Sequence, residues 1–130
     1  MRKLLLMVAL FSSLSLALPA QPTDHSPEAF VKAYMAAWAR GDFATTYAML
    51  SRDLRKELTQ DQHAKSLERS IQTPEARARL LGCTLVAVEP SMGPRGPDAN
   101  RKKVRLRYPD GAEGVMFLTM EEGHWKLLGP

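Results

Sequence analysis

The hydrophobic pattern of this 130-residue chain changes period near Cys83, and that change limits the folds it can adopt. Before Cys83, apolar residues recur every three or four positions, which is typical of amphipathic helices. After it, short apolar runs alternate with polar residues, as in strands with one buried face. Helices followed by consecutive strands predict an α+β fold, with N-terminal helices packed on a curved antiparallel sheet of about four strands.

Capping residues predict where the helices begin and end. Ser26 followed by Pro27 is typical of a helix start. Gly41 is expected to adopt the left-handed conformation that ends this helix, and Asp42 to cap the next one. This Gly-Asp corner would let both apolar faces meet one surface. Three more starts are expected at hydroxyl residues, namely Ser51, Thr59 and Thr73.

The first hairpin is predicted from Asp110-Gly111, a strong signal for a two-residue turn. Such a turn pairs Val104 with Phe117, and it places both side chains on the inward face. Lys103 would then lie on the outward face. The pairing fixes the face of every residue in both strands, because a slip of one residue turns all of them over.

The second hairpin is predicted to turn over residues 121–123, with Gly123 in a left-handed bulge position. A three-residue loop pairs Thr119 with Trp125 and places this tryptophan in the core. The segment EPSMGPRGPDAN, residues 89–100, holds three prolines and two glycines and is predicted to be a loop.

The N-terminus has the pattern of a secretory signal peptide. Arg2 and Lys3 precede an apolar run over residues 4–18, which is short for a membrane span. Cleavage is expected after Ala20, with Ala17 as second choice and an uncleaved anchor as the alternative. The predicted organisation is a signal peptide at 1–20, a flexible tail at 21–27 and a single domain at 28–130. The mature protein is expected to be secreted or periplasmic.

Charge and cysteine content argue against several functional classes. Without Arg2 and Lys3 the chain keeps 16 basic and 14 acidic residues, a net charge of about +2, so no nucleic-acid partner is expected. Cys83 is the one cysteine, which excludes an intramolecular disulfide, and it is expected to be a buried inert thiol. The three histidines have no paired spacing, so no metal site is predicted, and without a phosphate-cradling glycine loop no cofactor is predicted either.

Two segments carry a resemblance to a known superfamily. They are FVKAYMAAWARGDFATTYAMLS, residues 30–51, and GVMFLTMEEGHWKLL, residues 114–128, with LTQDQHAKSLE between them. Together they resemble the nuclear transport factor two-like superfamily, and in particular its small secreted bacterial members of unknown function. They are also similar to the small domain that precedes the transpeptidase in some penicillin-binding proteins. The resemblance implies a cone-shaped, cystatin-like fold with a pocket between the sheet and the helices.

Six aromatic residues could line such a pocket, or could simply fill the core with hydroxyls at its rim. No catalytic set is predicted beside them. Asp42 and Asp53 fall where helix caps belong, and His63 lies off the apolar stripe of its helix and is expected to be solvated. The candidate pocket residues are Tyr34, Trp38, Tyr47, Tyr108, Phe117 and Trp125.

A second candidate surface is the outward face of the sheet, where basic residues are expected to alternate with apolar ones. Long basic side chains can cover methionines on a solvated face, so this pattern has a purely structural interpretation. Otherwise the face is expected to form a homodimer or to bind an anionic component of the cell envelope. Its residues are Lys103, Arg105, Arg107, Met116, Leu118 and Met120.

Three functions remain open at this stage. The first is a non-catalytic domain that binds a small apolar ligand or a protein partner. The second is a small isomerase or dehydratase-like enzyme using a tyrosine and an acid, which the range of chemistries in the superfamily allows. The third is a cell-envelope adaptor that uses the basic sheet face.

Overall fold

The structure, a computed structural model, describes residues 25–129. The predicted signal peptide, residues 1–20, and residues 21–24 of the predicted tail lie outside the described residues. Ser26 caps the first helix and Pro27 begins it, so both belong to the domain and not to a tail.

Five helices precede four strands. None of the helices within residues 25–129 combines the length and apolar character needed to cross a membrane. The elements are α1 (Pro27–Ala39), α2 (Phe43–Ala48), α3 (Arg52–Glu57), α4 (Gln60–Glu68), a 3₁₀ turn (Arg69–Ile71), α5 (Pro74–Leu81), β1 (Thr84–Gly93), β2 (Gly96–Arg107), β3 (Glu113–Glu121) and β4 (His124–Gly129).

The predicted helix caps are confirmed. Gly41 has a φ of 76° and ends α1, and the Asp42 carboxylate accepts a hydrogen bond from the Thr45 backbone N–H at 3.2 Å. Thr59 and Gln62 form the reciprocal bonds of a capping box at the start of α4. Each of these contacts joins residues at most three positions apart, so the local sequence is sufficient to specify it.

The strands form one antiparallel sheet in the order β1-β2-β3-β4, and the protein has the predicted α+β architecture. One face of the sheet packs with the helices around a single apolar core. Val104 and Leu118, on neighbouring strands, are both 0 % exposed. The other buried core residues are Phe30, Val31, Tyr34, Met35, Ala39, Leu50, Leu80, Leu106, Met116 and Leu127. We call this the inner face of the sheet and the opposite one the outer face.

The predicted register of β2 and β3 is wrong by one residue. Val104 pairs with Met116, not with Phe117, and Phe117 pairs with Lys103. The cause is the turn: the Gly111 N–H donates to the Tyr108 carbonyl at 2.9 Å, so Pro109 and Asp110 occupy the central positions. Proline favours the first central position of a β-turn and cannot donate to the ladder.

The predicted three-residue turn between β3 and β4 is also wrong. The turn contains two residues, Glu122 and Gly123, whose φ angles of 50° and 81° are both positive. Two-residue hairpins of this kind match the twist of the flanking strands. Met120 therefore pairs with Trp125. Because the two register errors compensate, Trp125 still packs against the core, and only β3 is turned over relative to the prediction.

The segment predicted to be a loop at 89–100 forms the end of a long β1–β2 hairpin. Gly93 pairs with Gly96 around a turn at residues 94–95. Prolines are tolerated here because each strand has only one neighbour in this region: β1 is an edge strand, and β3 pairs with β2 only from Arg101 onward.

Both edges of the sheet carry irregular features. On the β4 edge, the Leu127 N–H donates to the Met49 carbonyl at 2.9 Å, and the Leu127 carbonyl accepts from the Ser51 N–H at 2.8 Å. This covers the middle of β4 with the segment between α2 and α3. On the β1 edge, the register shifts between Leu85 and Ala87 and again after Pro90.

Candidate functional site

Five of the six aromatic candidates belong to the core or pack against it. Tyr34 is buried, stacks on Phe30 at a ring distance of 6.3 Å, and meets the Trp38 ring edge-on at 6.1 Å. Burial raises the pKa of the Tyr34 hydroxyl, which stays protonated at neutral pH. The partly buried members that pack around this core are Trp38, Tyr47, Tyr108 and Trp125.

The polar atoms of two of these aromatics hold the helices together. The Trp38 indole N–H donates to the Leu67 carbonyl and to the Ser70 hydroxyl, both at 3.1 Å. The Tyr47 hydroxyl donates to the Leu58 carbonyl at 2.8 Å. These bonds connect α1 and α2 with the chain around α4, which is a structural use of groups that a catalytic pocket would expose.

The prediction that His63 is solvated is wrong. His63 is 4 % exposed, and its Nε2 lies 2.7 Å from the Thr46 hydroxyl oxygen. The direction of this hydrogen bond depends on the histidine tautomer, and the same hydroxyl lies 3.2 Å from the Phe43 carbonyl oxygen. Burial lowers the pKa of His63 and favours the neutral ring. The histidine joins α4 to α2 through this buried hydrogen bond.

The predicted capping role of Asp42 is confirmed. Its carboxylate accepts from the Thr45 hydroxyl at 2.7 Å and lies 3.2 Å from the Arg40 guanidinium. The hydrogen bond from the Thr45 side chain is the main cause of the lowered pKa of Asp42. Asp53, in the first turn of α3, is exposed.

Arg79 fixes the β2–β3 turn to α5. Its guanidinium lies 3.9 Å from the centre of the Tyr108 ring, and its Nε is 2.9 Å from the Asp110 carboxylate. Burial raises the pKa of the Tyr108 hydroxyl and of the neighbouring Cys83 thiol. A thiol with a raised pKa is a poor nucleophile, in agreement with an inert cysteine.

The residues of the predicted contact face lie on two different faces. Met116 and Leu118 are buried in the core, and Met120 follows them on the inner face through its pairing with Trp125. The prediction that these three share a face with the basic residues is therefore wrong. The reason is the one-residue slip of β3, which turned its methionines inward.

The outer face combines the three predicted basic residues with different apolar neighbours. Arg105 pairs with Val115, and Lys103 pairs with Phe117, across the β2–β3 ladder. The Arg105 Nε lies 2.9 Å from the Glu89 carboxylate. Arg107 forms a second ion pair, at 3.0 Å with Glu113. Lys103 has no ion-pair partner among residues 25–129.

A shallow groove of about 650 Å³ lies on this outer face. Glu89, Lys103 and Phe117 stand side by side on three adjacent strands and form one row of it. Lys103 thus stands between Phe117 and Glu89 in this row, and Glu89 is engaged by Arg105. The remaining lining residues are Pro90, Ser91, Met92, Arg101, Leu128 and Gly129.

A second depression of about 660 Å³ lies on the helical side, next to the Gly41 corner. Four of its eight lining residues are charged or amide side chains, and they carry both signs of charge. Neither depression is lined by Tyr34, Trp38, Tyr47, Tyr108 or Trp125, so Phe117 is the pocket candidate that reaches one. Of the two, the outer groove has the more apolar floor.

Sequence reasoning missed Met92 and Leu128 as groove residues. The sequence signal that could have indicated Leu128 is Pro109. This proline displaces the β2–β3 turn and brings Phe117 to the outer face, where Leu128 of β4 lines the same groove.

Within residues 25–129 no three His, Cys, Asp or Glu side chains are grouped so that they could hold a metal ion. No protein-family model matches the chain, and no curated protein matches it either.

Proposed function

We propose that this protein is a non-catalytic binding domain that holds a small apolar ligand, or an apolar segment of a partner protein, in the outer groove. The observation that carries the proposal is the row formed by Phe117 and Lys103 on the outer face. There, apolar surface that contributes nothing to the core stands beside a cation without a carboxylate partner. The groove also contains Met92, which is 64 % exposed, so its apolar surface does not end at Phe117.

The polar groups of the helical layer support a non-catalytic role. His63 is bonded to Thr46, and the Tyr47 hydroxyl is bonded to a backbone carbonyl. An isomerase or dehydratase would need such a group directed at bound substrate. No arrangement within residues 25–129 favours that alternative over structural use of these side chains.

The proposal places the domain in the nuclear transport factor two-like superfamily and outside the cytoplasm. Its support is the resemblance of the two segments, together with the order of five helices before a four-stranded antiparallel sheet. The signal-like N-terminus supports secretion or a periplasmic location. A homodimer through the outer face is an alternative use of the same surface.

Native mass spectrometry of the purified protein, followed by extraction of bound small molecules, tests the proposal. We expect a monomer that carries an apolar ligand, or that gains mass when an apolar peptide is added. Phe117→Ser should abolish the added mass. The control is Val115→Ser, which changes the same face outside the groove and should leave binding intact.

Three results would contradict this proposal. They are equal binding by the Phe117→Ser protein, equal loss in the Val115→Ser protein, and a dimer with no bound ligand that Phe117→Ser converts to monomer. The last result would instead assign the outer face to self-association.

A further inference from the structure

The β1–β2 hairpin carries the positive charge of the domain. Residues 84–107 contain six basic and two acidic side chains, whereas the rest of residues 25–129 contains ten basic and eleven acidic ones. The described chain is therefore close to neutral except in this hairpin. A concentrated positive charge attracts anionic partners over a distance of about 10 Å at moderate salt.

Only part of this charge is neutralised within the domain. Arg105 and Arg107 lie within 3.0 Å of carboxylates, and Arg101 lies 3.7 Å from the Asp98 carboxylate. The three remaining cations of the hairpin form no ion pair with any residue that the structure describes. They are Arg95, Lys102 and Lys103. The free charge thus lies toward the turn of the hairpin and not along its whole length.

The turn of the hairpin projects from the sheet. Pairing of β2 with β3 stops at Arg101, so residues 91–100 extend beyond the third strand. Met92, near the turn, is 64 % exposed and is one of three large apolar residues that are strongly exposed in residues 25–129. The projecting end therefore presents Met92 together with the unpaired Arg95, and Lys102 and Lys103 follow at its base, where β2 begins to pair with β3.

We propose that the projecting end of the β1–β2 hairpin docks on an anionic lipid bilayer. The hairpin enters end-on: Arg95 reaches the negatively charged headgroups and Met92 the boundary between headgroups and acyl chains. Lys102 and Lys103, on opposite faces of β2 at the base of the projecting end, meet the headgroups from either side. Basic residues around exposed apolar side chains are the combination by which peripheral proteins bind anionic membranes. An acidic protein would also attract the cations, and the polyglutamate measurement below distinguishes it from a bilayer.

This docking shares Met92 and Lys103 with the groove proposed above but does not depend on the occupant of the groove. Arg95 and Lys102 do not line the groove, so changing them separates the two proposals. If the protein changed at Arg95 and Lys102 loses lipid binding but keeps ligand binding, docking occurs through the hairpin. If the Phe117→Ser protein loses ligand binding but keeps lipid binding, the groove acts separately.

The test is sedimentation of the full chain with vesicles of phosphatidylglycerol and phosphatidylcholine mixed in equal parts. Each basic residue near an anionic surface strengthens binding about fivefold, so Arg95→Gln with Lys102→Gln should weaken it about 25-fold. Met92→Ser should weaken it further. All variants keep the same N-terminal segment, so any binding through that segment is common to them.

The matched control is Lys32→Gln with Lys56→Gln, which removes the same charge from exposed positions on α1 and α3. This protein should bind nearly as well as the unchanged chain. Equal weakening by the control would overturn the proposal, as would equal binding to vesicles of phosphatidylcholine alone. Binding to polyglutamate that Met92→Ser leaves unchanged, without binding to anionic vesicles, would assign the hairpin to an acidic protein instead.

Discussion

The two faces of the sheet differ in what their apolar residues do. On the inner face, Leu118 is completely buried under the helices. On the outer face, its neighbour Phe117 is half-buried beside Lys103 and lies outside the core. Adjacent residues of one strand therefore serve different purposes, because successive side chains of a strand point to opposite faces. Stability is concentrated on the inner face, and the outer face is available for binding.

A similar contrast separates the polar groups of the helical layer from those of the β1–β2 hairpin. Thr46, His63 and the Trp38 indole are all hydrogen-bonded within the domain. Lys103 and Arg95, in the hairpin, have no ion-pair partner among residues 25–129. Polar groups with internal partners connect the helices, whereas those without one are free to meet another molecule.

The largest expected effect distinguishes the two faces directly. Leu118→Ala should lower the free energy of unfolding by about 3 kcal/mol, because it removes a fully buried side chain and leaves a cavity. Phe117→Ala should lower it by less than about 1 kcal/mol, since that ring lies on the open face. Urea denaturation measures both. Equal losses would mean that the Phe117 ring is as deeply buried as Leu118, which would contradict an outer face that is open for binding.

The second effect concerns the hydrogen bond between Thr46 and His63, which joins α2 to α4. Thr46→Val keeps the shape of the side chain but leaves the buried Nε2 of His63 without its hydrogen-bond partner, which should cost about 2 kcal/mol. Chemical denaturation measures the loss. Ser66→Ala, exposed on the same helix as His63, is the control and should change stability little. A neutral Thr46→Val would show that water reaches the histidine.

The pH dependence of stability provides a third test of the same layer. His63 has a lowered pKa in the folded state, so the unfolded state binds the proton more readily. Stability should be complete above about pH 6.5, the ordinary histidine value, and should fall as the pH decreases toward the lowered pKa. Denaturation midpoints of the unchanged and His63→Gln proteins, compared over this range, isolate the contribution. Parallel curves for the two proteins would contradict a buried neutral ring.

The smallest expected effect concerns the corner between α1 and α2. Gly41→Ala should lower the free energy of unfolding by about 1 kcal/mol, because a φ of 76° is unfavourable for a residue with a side chain. Space is not the cause, since the nearest atom to an added Cβ would be 3.9 Å away. Thermal denaturation can measure the change, and a stabilised variant would show that the corner tolerates another conformation.

The helical half of the fold could be predicted because its determinants are local. Ser26, Asp42 and Thr59 each accept a hydrogen bond from a backbone N–H three residues later. Such bonds depend on a few neighbouring residues and can be inferred from their types. The predicted change from helices to strands near Cys83 is also confirmed, because the hydrophobic period of each segment is a local property of its sequence.

The faces of β3 could not be predicted because they depend on two turns together. Pro109 moved the first turn, and Glu122 adopted a positive φ that is uncommon for residues other than glycine. A one-residue change in either turn reverses a strand. This is why the contact face was predicted with Met116 and Leu118 on it, although the structure places Phe117 there.

Burial of His63 was missed for a different physical reason. The stripe of Ala64, Leu67 and Ile71 indicated which side of α4 faces the core, but it did not show that a second side meets α2. Contact between α2 and α4 buries the histidine against Thr46, seventeen residues earlier in the chain. Hydrogen bonds of this range cannot be inferred from hydrophobic period alone.

The irregular edges of the sheet have a consequence for how copies of this protein behave when crowded. A regular, unpaired edge strand offers a template on which another chain can add a strand, and repeated addition leads to fibrils. Here Leu127 already bonds to Met49 and Ser51, and the opposite edge is interrupted near Val86 and at Pro90, which has no N–H to donate. The sheet is thus closed to growth at one edge and poorly suited to it at the other, which favours a protein that remains dispersed at high concentration.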